Sequence, residues 1–285
     1  MTLRLSSTHP RIGLLALTGT GNAVLRALSE AGHAPALVVT REERGPYPYY
    51  DERSLADEAA SLGLPCAYGA KGEAELVRKP LDMLIAATYH RLLGPALISA
   101  IPLSVNLHPS LLPRYRGPNP WFWVLRNGET LTGVSAHLLT SDVDAGDLLW
   151  QQELRIAEDE TQGSLRRRTA LLSARAAIDL VHVAVTIGLE PRPQDAAAAS
   201  LFPKPSDRDR EIRAGMSVRE VCTLVRALAP FPGALYRGRT VIAAHPAGAG
   251  WAREIVEEEG VRTAEAAVVN GRFKDGVVEL TFGRR

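Results

Sequence analysis

Asn106-Leu107-His108-Pro109-Ser110-Leu111-Leu112-Pro113, then Gly117, then Asp142-Val143-Asp144-Ala145-Gly146-Asp147 place a carboxamide, an imidazole and a carboxylate in one stretch of chain. Those are the groups needed to move an acyl group between nitrogens. A carbonyl under attack needs a donor for its developing oxyanion, a group of near-neutral pKa to handle protons, and a partner that fixes that group's charge and tautomer. Asn106 can donate through its amide nitrogen. His108 has the side chain whose unperturbed pKa suits proton transfer at neutral pH. Asp144 can hold the imidazole or take a proton through water, provided the fold returns the later loop over the earlier one.

The elements must therefore aim Asn106 and His108 together. Residues two apart on an extended strand point to the same face. Ile101 to Val105 reads as a short strand approach, and Pro109 and Pro113 keep a helix from starting at once. The expectation is a rigid loop at a strand end, where parallel α/β sheets place their sites.

The longer pattern is Asn106-x-His108-x-Ser110-Leu111-Leu112-Pro113-x-x-x-Gly117, with Thr132-Gly133-Val134-Ser135-Ala136-His137 and Asp144-x-Gly146. It resembles the folate-dependent formyltransferase family over residues 11 to 187, with a second stretch beyond 208. The resemblance implies N-10-formyltetrahydrofolate as formyl donor, an amine as acceptor, and a catalytic triad of Asn106, His108 and Asp144. Tyr89-His90-Arg91-Leu92-Leu93-Gly94-Pro95 resembles the family segment that lines the pterin pocket, and we assign Asp142 to the same donor side. His137 resembles a family position near the triad. Gly19-Thr20-Gly21 corresponds to a family turn near the acceptor. With Ser110, Trp121 and His137, Gly19 and Gly21 make up the expected acceptor side, where Trp121 and Trp123 can stack on the acceptor or close the pocket. The hypothesis built on these residues is direct transfer, in which Asn106 and a protonated His108 stabilise the oxyanion and Asp144 supports the imidazolium.

Other readings of the same motifs are weaker. Gly19-Thr20-Gly21 invites a dinucleotide, but Val24 stands where G-x-G-x-x-G needs its third glycine, and Thr40-Arg41 offers no acid for a ribose. Asp142, Asp144 and Asp147 could suggest a divalent cation, but no further ligand cluster accompanies them, so no metal is expected.

The rest of the sequence bounds the answer. The 285 residues suffice for one large and one small domain. With 33 basic and 32 acidic residues the net charge is +1, too small to draw the chain to nucleic acid or membrane as a whole. Cys66 and Cys222 fit neither metal nor disulfide spacing and read as small buried hydrophobes in a reducing compartment. No apolar run reaches the roughly 18 residues of a membrane span, and the N-terminus lacks a signal-peptide core. A cytoplasmic location is the default expectation.

Strands and helices alternate through the first half. Strands are expected at Arg11–Leu17, Ala36–Thr40, Pro65–Tyr68, Met83–Ala87, Gly133–Leu139 and Leu148–Ile156. Helices are expected at Asn22–Ala31, Leu55–Leu62, Glu73–Arg78 and Gly163–Ile187. This rhythm predicts an α/β, Rossmann-like parallel sheet covered on both faces. Prolines at 191, 193, 203 and 205 mark a linker. Beyond it, Val218–Leu228 reads as a helix, and β-like pieces follow at Leu235–Tyr236, Thr240–Ala244, Thr263–Val269 and Val277–Phe282. Leu224 to Ala234 resembles the opening of the small OB-like domain carried by some family members. The expected division is a catalytic domain at 1–188, a linker at 189–207 and an OB-like domain at 208–285.

The acceptor is the open question. In tRNA-acting members of the resembled family a basic insertion follows the second strand. Here Arg41 to Asp51 reads REERGPYPYYD, in which acids offset the arginines and tyrosines follow. A segment that tracks phosphates should be more basic, so the expected acceptor is a small amine, such as a nucleotide-linked amino sugar or an amino-acid derivative. Methionyl-tRNA is the alternative. A formyltetrahydrofolate hydrolase would use the same triad with water, but its relatives carry an additional N-terminal domain that this chain has no room for. A catalytically silent RNA-binding protein fits poorly with a whole triad. Oligomeric state is not legible.

Overall fold

Apolar, largely β-branched or aliphatic runs form the central strands β1 (Ile12–Ala16), β2 (Leu37–Thr40) and β4 (Met83–Ala87), buried along their whole length. β3 (Cys66–Tyr68) and β5 (Leu103–His108) join them to make five strands that pair in parallel. With β6 (Leu131–Leu138) and β7 (Leu148–Arg155) they make one sheet in the order β3-β2-β1-β4-β5-β6-β7. The computed structural model describes residues 2–43, 49–247 and 268–283.

The sheet departs from the wholly parallel expectation at β6, which runs against both β5 and β7. The short loop from Leu138 to Leu148 is too brief for a crossover helix, so the two strands it joins must be antiparallel. That loop carries Asp144. β5 also runs on through His108, so Asn106 and His108 lie in the strand itself rather than in a loop beyond it.

Helices α1 (Thr20–Glu30), α2 (Leu55–Ser61), α3 (Gly69–Arg78), α4 (Pro95–Ala100), α5 (Pro120–Arg126) and α6 (Gln162–Thr186) cover the sheet. α4 and α5 were not legible in the sequence. Both are under two full turns and open with proline, whose fixed φ suits a first helical position. By length and composition α6 could cross a membrane, contrary to the sequence expectation of no such run. Half of its most apolar window is buried inside the fold, where Leu180, Val181 and Ala184 pack with Leu25 and Leu28 of α1, so it serves as a core helix.

The expected linker is hydrogen-bonded along its length. Leu189 exchanges two backbone bonds with Leu3, and Arg192 does the same with Leu148. Ser200 donates its amide to Pro113 O, accepts from the Arg116 amide, and is followed by Phe202, which also bonds Arg116. Its prolines keep it extended, so it lies as a strap over the loops that follow β5 and β6.

After the strap, α7 (Val218–Leu228) covers a four-stranded antiparallel sheet of β8 (Ala234–Tyr236), β9 (Arg239–Pro246), β10 (Val268–Phe273) and β11 (Gly276–Phe282), in the order β10-β11-β9-β8. The piece expected at Thr263–Val269 falls outside the described residues up to position 267. Leu224, Val225 and Leu228 of α7 share one apolar cluster with Trp121, Phe122 and Val124 of α5 and with Val241 and Leu280. Phe122 is fully buried there, and truncating such a phenylalanine costs about 3 to 5 kcal/mol. Cys66 and Cys222 are unpaired and half-buried, less enclosed than their sequence suggested.

Candidate active site

β5 and β6 pair in a register that sets Asn106 opposite His137 and His108 opposite Ser135. The loop after β6 then folds back, and Asp144 enters between them. Its Oδ1 lies 3.2 Å from Asn106 Nδ2 and 3.3 Å from His137 Nε2, and its Oδ2 lies 3.4 Å from His108 Nδ1. Asn106 Nδ2 also donates to His137 Nε2 at 3.1 Å. Three motifs separated in sequence thus meet in one hydrogen-bonded cluster, with His137 as its fourth member.

Backbone groups fix the tautomers. His108 Nε2 donates to Tyr115 O at 2.8 Å and His137 Nδ1 donates to Leu138 O at 2.8 Å. The nitrogens left toward Asp144 are therefore His108 Nδ1 and His137 Nε2. The Gly117 amide donates to Asp144 Oδ2 at 2.8 Å. Gly117 has a φ of +96°, and a Cβ there would meet Phe202 O of the strap at 2.3 Å. No other residue fits that turn without movement.

Burial pushes the His108 imidazole below its ordinary pKa, against the opposing pull of Asp144 and the Tyr115 carbonyl. The lowering favours the neutral imidazole in the resting protein. Burial alone would raise the Asp144 carboxyl, but the neighbouring imidazoles of His108 and His137 and the Gly117 amide outweigh it and hold it well below the usual carboxylate range.

A formyl transferase domain model matches residues 67–181, the span that holds every member of this cluster. The methionyl-tRNA formyltransferase of Anaeromyxobacter dehalogenans strain 2CP-1 is 33% identical over 92% of this chain and 86% of its own length. This chain belongs to the folate-dependent formyltransferase family. The methionyl-tRNA formyltransferase of Heliobacterium modesticaldum is 34% identical over 74% of the chain and 69% of its own length. Among solved structures, the N-formyltransferase of Helicobacter canadensis, in complex with folinic acid and dTDP-3-aminofucose, superposes with a TM-score of 0.73 at 14% identity. It covers 96% of this chain and 100% of its own, and that likeness bears on the fold alone.

In this formyltransferase the cluster opens into a cleft of about 810 Å³. Tyr89, His90, Arg91, Leu92, Leu93 and Asp142 all line it. Glu73 anchors their segment by accepting from the Tyr89 hydroxyl at 2.8 Å and Arg91 Nε at 2.7 Å. Leu92 is 83% exposed, so apolar surface stands ready at the cleft wall. Trp121 also lines the cleft, its indole nitrogen donating to Thr169 Oγ1 at 2.8 Å.

Three expected acceptor-side residues have other work in the enzyme. The Gly19 amide donates to Asn22 Oδ1 at 3.2 Å, and the missing side chain makes room for the Tyr50 ring, which a Cβ would meet at 2.1 Å. The Gly21 amide bonds Leu17 O at 2.9 Å while its α-carbon faces Ala16 and Leu55. Neither amide is spare for an anion, and the cleft wall at this turn is Thr18 and Thr20. Ser110 is fully buried and donates to Arg114 O at 2.9 Å, which closes the loop after β5. Trp123 turns away to donate to Pro203 O at 2.8 Å.

Sequence reasoning missed Tyr49, Tyr50, Arg166 and Phe231, all at the cleft, and Gln194 in the strap. Arg166 opens a run of three arginines on α6 that reads as a solvated helix face. Phe231 sits in the expected C-terminal domain, far in sequence from the motifs. Only the tyrosine-rich end of the segment after β2 carried a usable signal.

Proposed function

We propose that this formyltransferase carries the formyl group of N-10-formyltetrahydrofolate to the amine of a small acceptor. The observation that supports transfer chemistry is the meeting of Asn106, His108 and Asp144 at hydrogen-bond range inside one cleft. The Tyr89–Leu93 side of that cleft, with Asp142, suits the donor's flat heteroaromatic end, since such sites combine apolar walls with few polar groups.

In this reading a neutral amine attacks the formyl carbon. Asn106 turns one N–H from its present partners to the developing oxyanion. His108 Nδ1 takes the proton lost by the attacking nitrogen, and Asp144 beside it stabilises the imidazolium. As the bond to the leaving nitrogen breaks, His108 returns the proton there, so the products are a formamide and tetrahydrofolate. One oxyanion donor of this kind is worth about 2.7 to 4 kcal/mol.

The small acceptor is supported by the other end of the cleft, where Tyr49, Tyr50, Trp121 and Phe231 crowd the wall with aromatic groups around Arg166. Tyr49 and Tyr50 belong to the segment where tRNA-acting members of the family, by the resemblance, carry basic residues. We place the enzyme in the cytoplasm, in keeping with two unpaired cysteines. Methionyl-tRNA is the second reading, favoured by relatives of that name that align over 92% of the chain.

A donor-saturated screen of amino-sugar nucleotides, amino-acid derivatives and charged initiator tRNA, read by product mass, tests the choice. Formylation of small amines with a shallow salt dependence is expected. Formylation of tRNA alone, with binding falling about a thousandfold between roughly 50 and 200 mM salt, would overturn it.

A further inference from the structure

Arg166 stands at the acceptor end of the cleft with no carboxylate partner among the described residues. Its guanidinium lies 4.3 Å from the Tyr49 ring centroid and 4.0 Å from that of Trp121, a sandwich that covers both flat faces. Neutral amides hold one edge. Nη2 donates to Asn119 Oδ1 at 3.0 Å, and the Gln162 amide, in the orientation its own hydrogen bonds favour, accepts from Nε and Nη2 at 3.1 and 3.0 Å. The Tyr50 hydroxyl, also at the cleft, is a further side-chain partner of the guanidinium. The neighbouring cations are committed elsewhere: Arg168 pairs with Glu160, and Arg91 pairs with Glu73.

We propose that Arg166 is the anion subsite of the acceptor end and receives a carboxylate on the acceptor amine. This rests on the small-acceptor reading and narrows it to amino-acid-like amines. The rings fix the guanidinium plane, so little freedom is lost when its cleft edge, beside the Tyr50 hydroxyl, meets a planar carboxylate. They also exclude water from both faces, which strengthens the charge-assisted contact. Among the described residues the other arginines of the cleft, Arg41 and Arg91, pair with Glu43 and Glu73, a poorer match to a phosphate or pyrophosphate than to a single carboxylate. Trp121, Tyr50 and Phe231 would pack along the acceptor's carbon chain, with its amine toward Asp144.

The test uses full-length protein saturated with 5-formyltetrahydrofolate. Calorimetry measures binding of L-ornithine, L-lysine and L-glutamine, each as the free carboxylate and as the C-terminal amide, beside uridine diphosphate. At least one carboxylate should bind about tenfold or more tightly than its amide. Arg166→Gln should erase that difference and Arg166→Lys should keep part of it, with folate binding unchanged. No discrimination in the natural protein, or discrimination that survives Arg166→Gln, would overturn the subsite. So would uridine diphosphate binding that depends on Arg166 and exceeds that of every carboxylate. Loss of the whole formyl-transfer reading is distinguishable, because it would show as failure to bind the folate at all.

Discussion

Gln194, in the strap, holds the loop that carries Asp144: its Nε2 donates to Asp144 O at 2.8 Å and to Gly146 O at 2.7 Å. Its Oε1 accepts from Arg116 Nη2 at 2.7 Å, one residue before the glycine whose amide holds the Asp144 carboxylate. The carboxylate is thus fixed through its side chain from one loop and through its backbone from the strap.

Gln194→Ala should therefore lower turnover by about tenfold to 100-fold, because small misplacements of a reacting group are costly, while KM for the folate changes little. Gln194→Glu should be worse than alanine, since it sets an acceptor against two carbonyl oxygens. Steady-state kinetics with melting temperatures check this. If both variants melted earlier and yet kept normal turnover, the strap would be a structural brace with no part in positioning Asp144.

The proton-handling cluster makes a second prediction. Asn106→Ala, His108→Ala and Asp144→Ala should each reduce turnover by about 100-fold or more with the fold intact by circular dichroism. His137→Ala should cost less, because His137 reaches the reacting atoms only through Asn106 and Asp144. Single-turnover measurement with saturating donor separates chemistry from binding. Near-normal chemistry in any of the first three would remove that residue from the mechanism.

The chemistry of this site was legible because its motifs are local: N-x-H on one strand fixes two side chains on one face whatever the tertiary context. The return of Asp144 was not, since only the antiparallel turn of β6 brings the later loop back, and periodicity does not report strand direction. Ser110 and the glycines at 19 and 21 spend their polar groups on local hydrogen bonds for one physical reason. Motif residues in tight turns are as often needed for backbone closure as for ligand contact, and here their polar groups are consumed inside the turn. Arg166 was hidden because its cation–aromatic contacts join α6 to α5 and to the segment after β2, both distant in sequence. The strap was read as a linker because prolines signal extension but not what the extended chain lies against.

Gly117 offers a test of the fold's contribution to the site. Gly117→Ala combines a left-handed backbone with a Cβ that would sit 2.3 Å from Phe202 O. The conformational cost alone is about 1 kcal/mol or more, and relief of the clash must move either the strap or the loop whose amide holds Asp144. We expect a lower melting temperature together with a loss of turnover at least as large as that of Gln194→Ala. A variant that melts normally and turns over normally would mean that Gly117 is not clamped between the strap and Asp144.

The last prediction concerns pH. Burial lowers the His108 pKa from an ordinary value of 6.5, so the unfolded chain binds this proton more readily than the native state. Stability from His108 is therefore fully present above 6.5 and is lost as pH falls from there through the depressed native value. Asp144, also depressed, from 3.8, adds a second loss below that value in the same direction. Turnover should follow the first window, because His108 must start neutral to take the amine's proton. The melting temperature should fall between about pH 7 and pH 5, and His108→Gln should flatten that part of the curve while leaving the steeper loss at lower pH. The acid limb of kcat should lie below the ordinary histidine range. Activity lost instead on the basic side, as pH rises through a raised histidine value, would mean that His108 works as the imidazolium, with Asp144 rather than burial setting its charge.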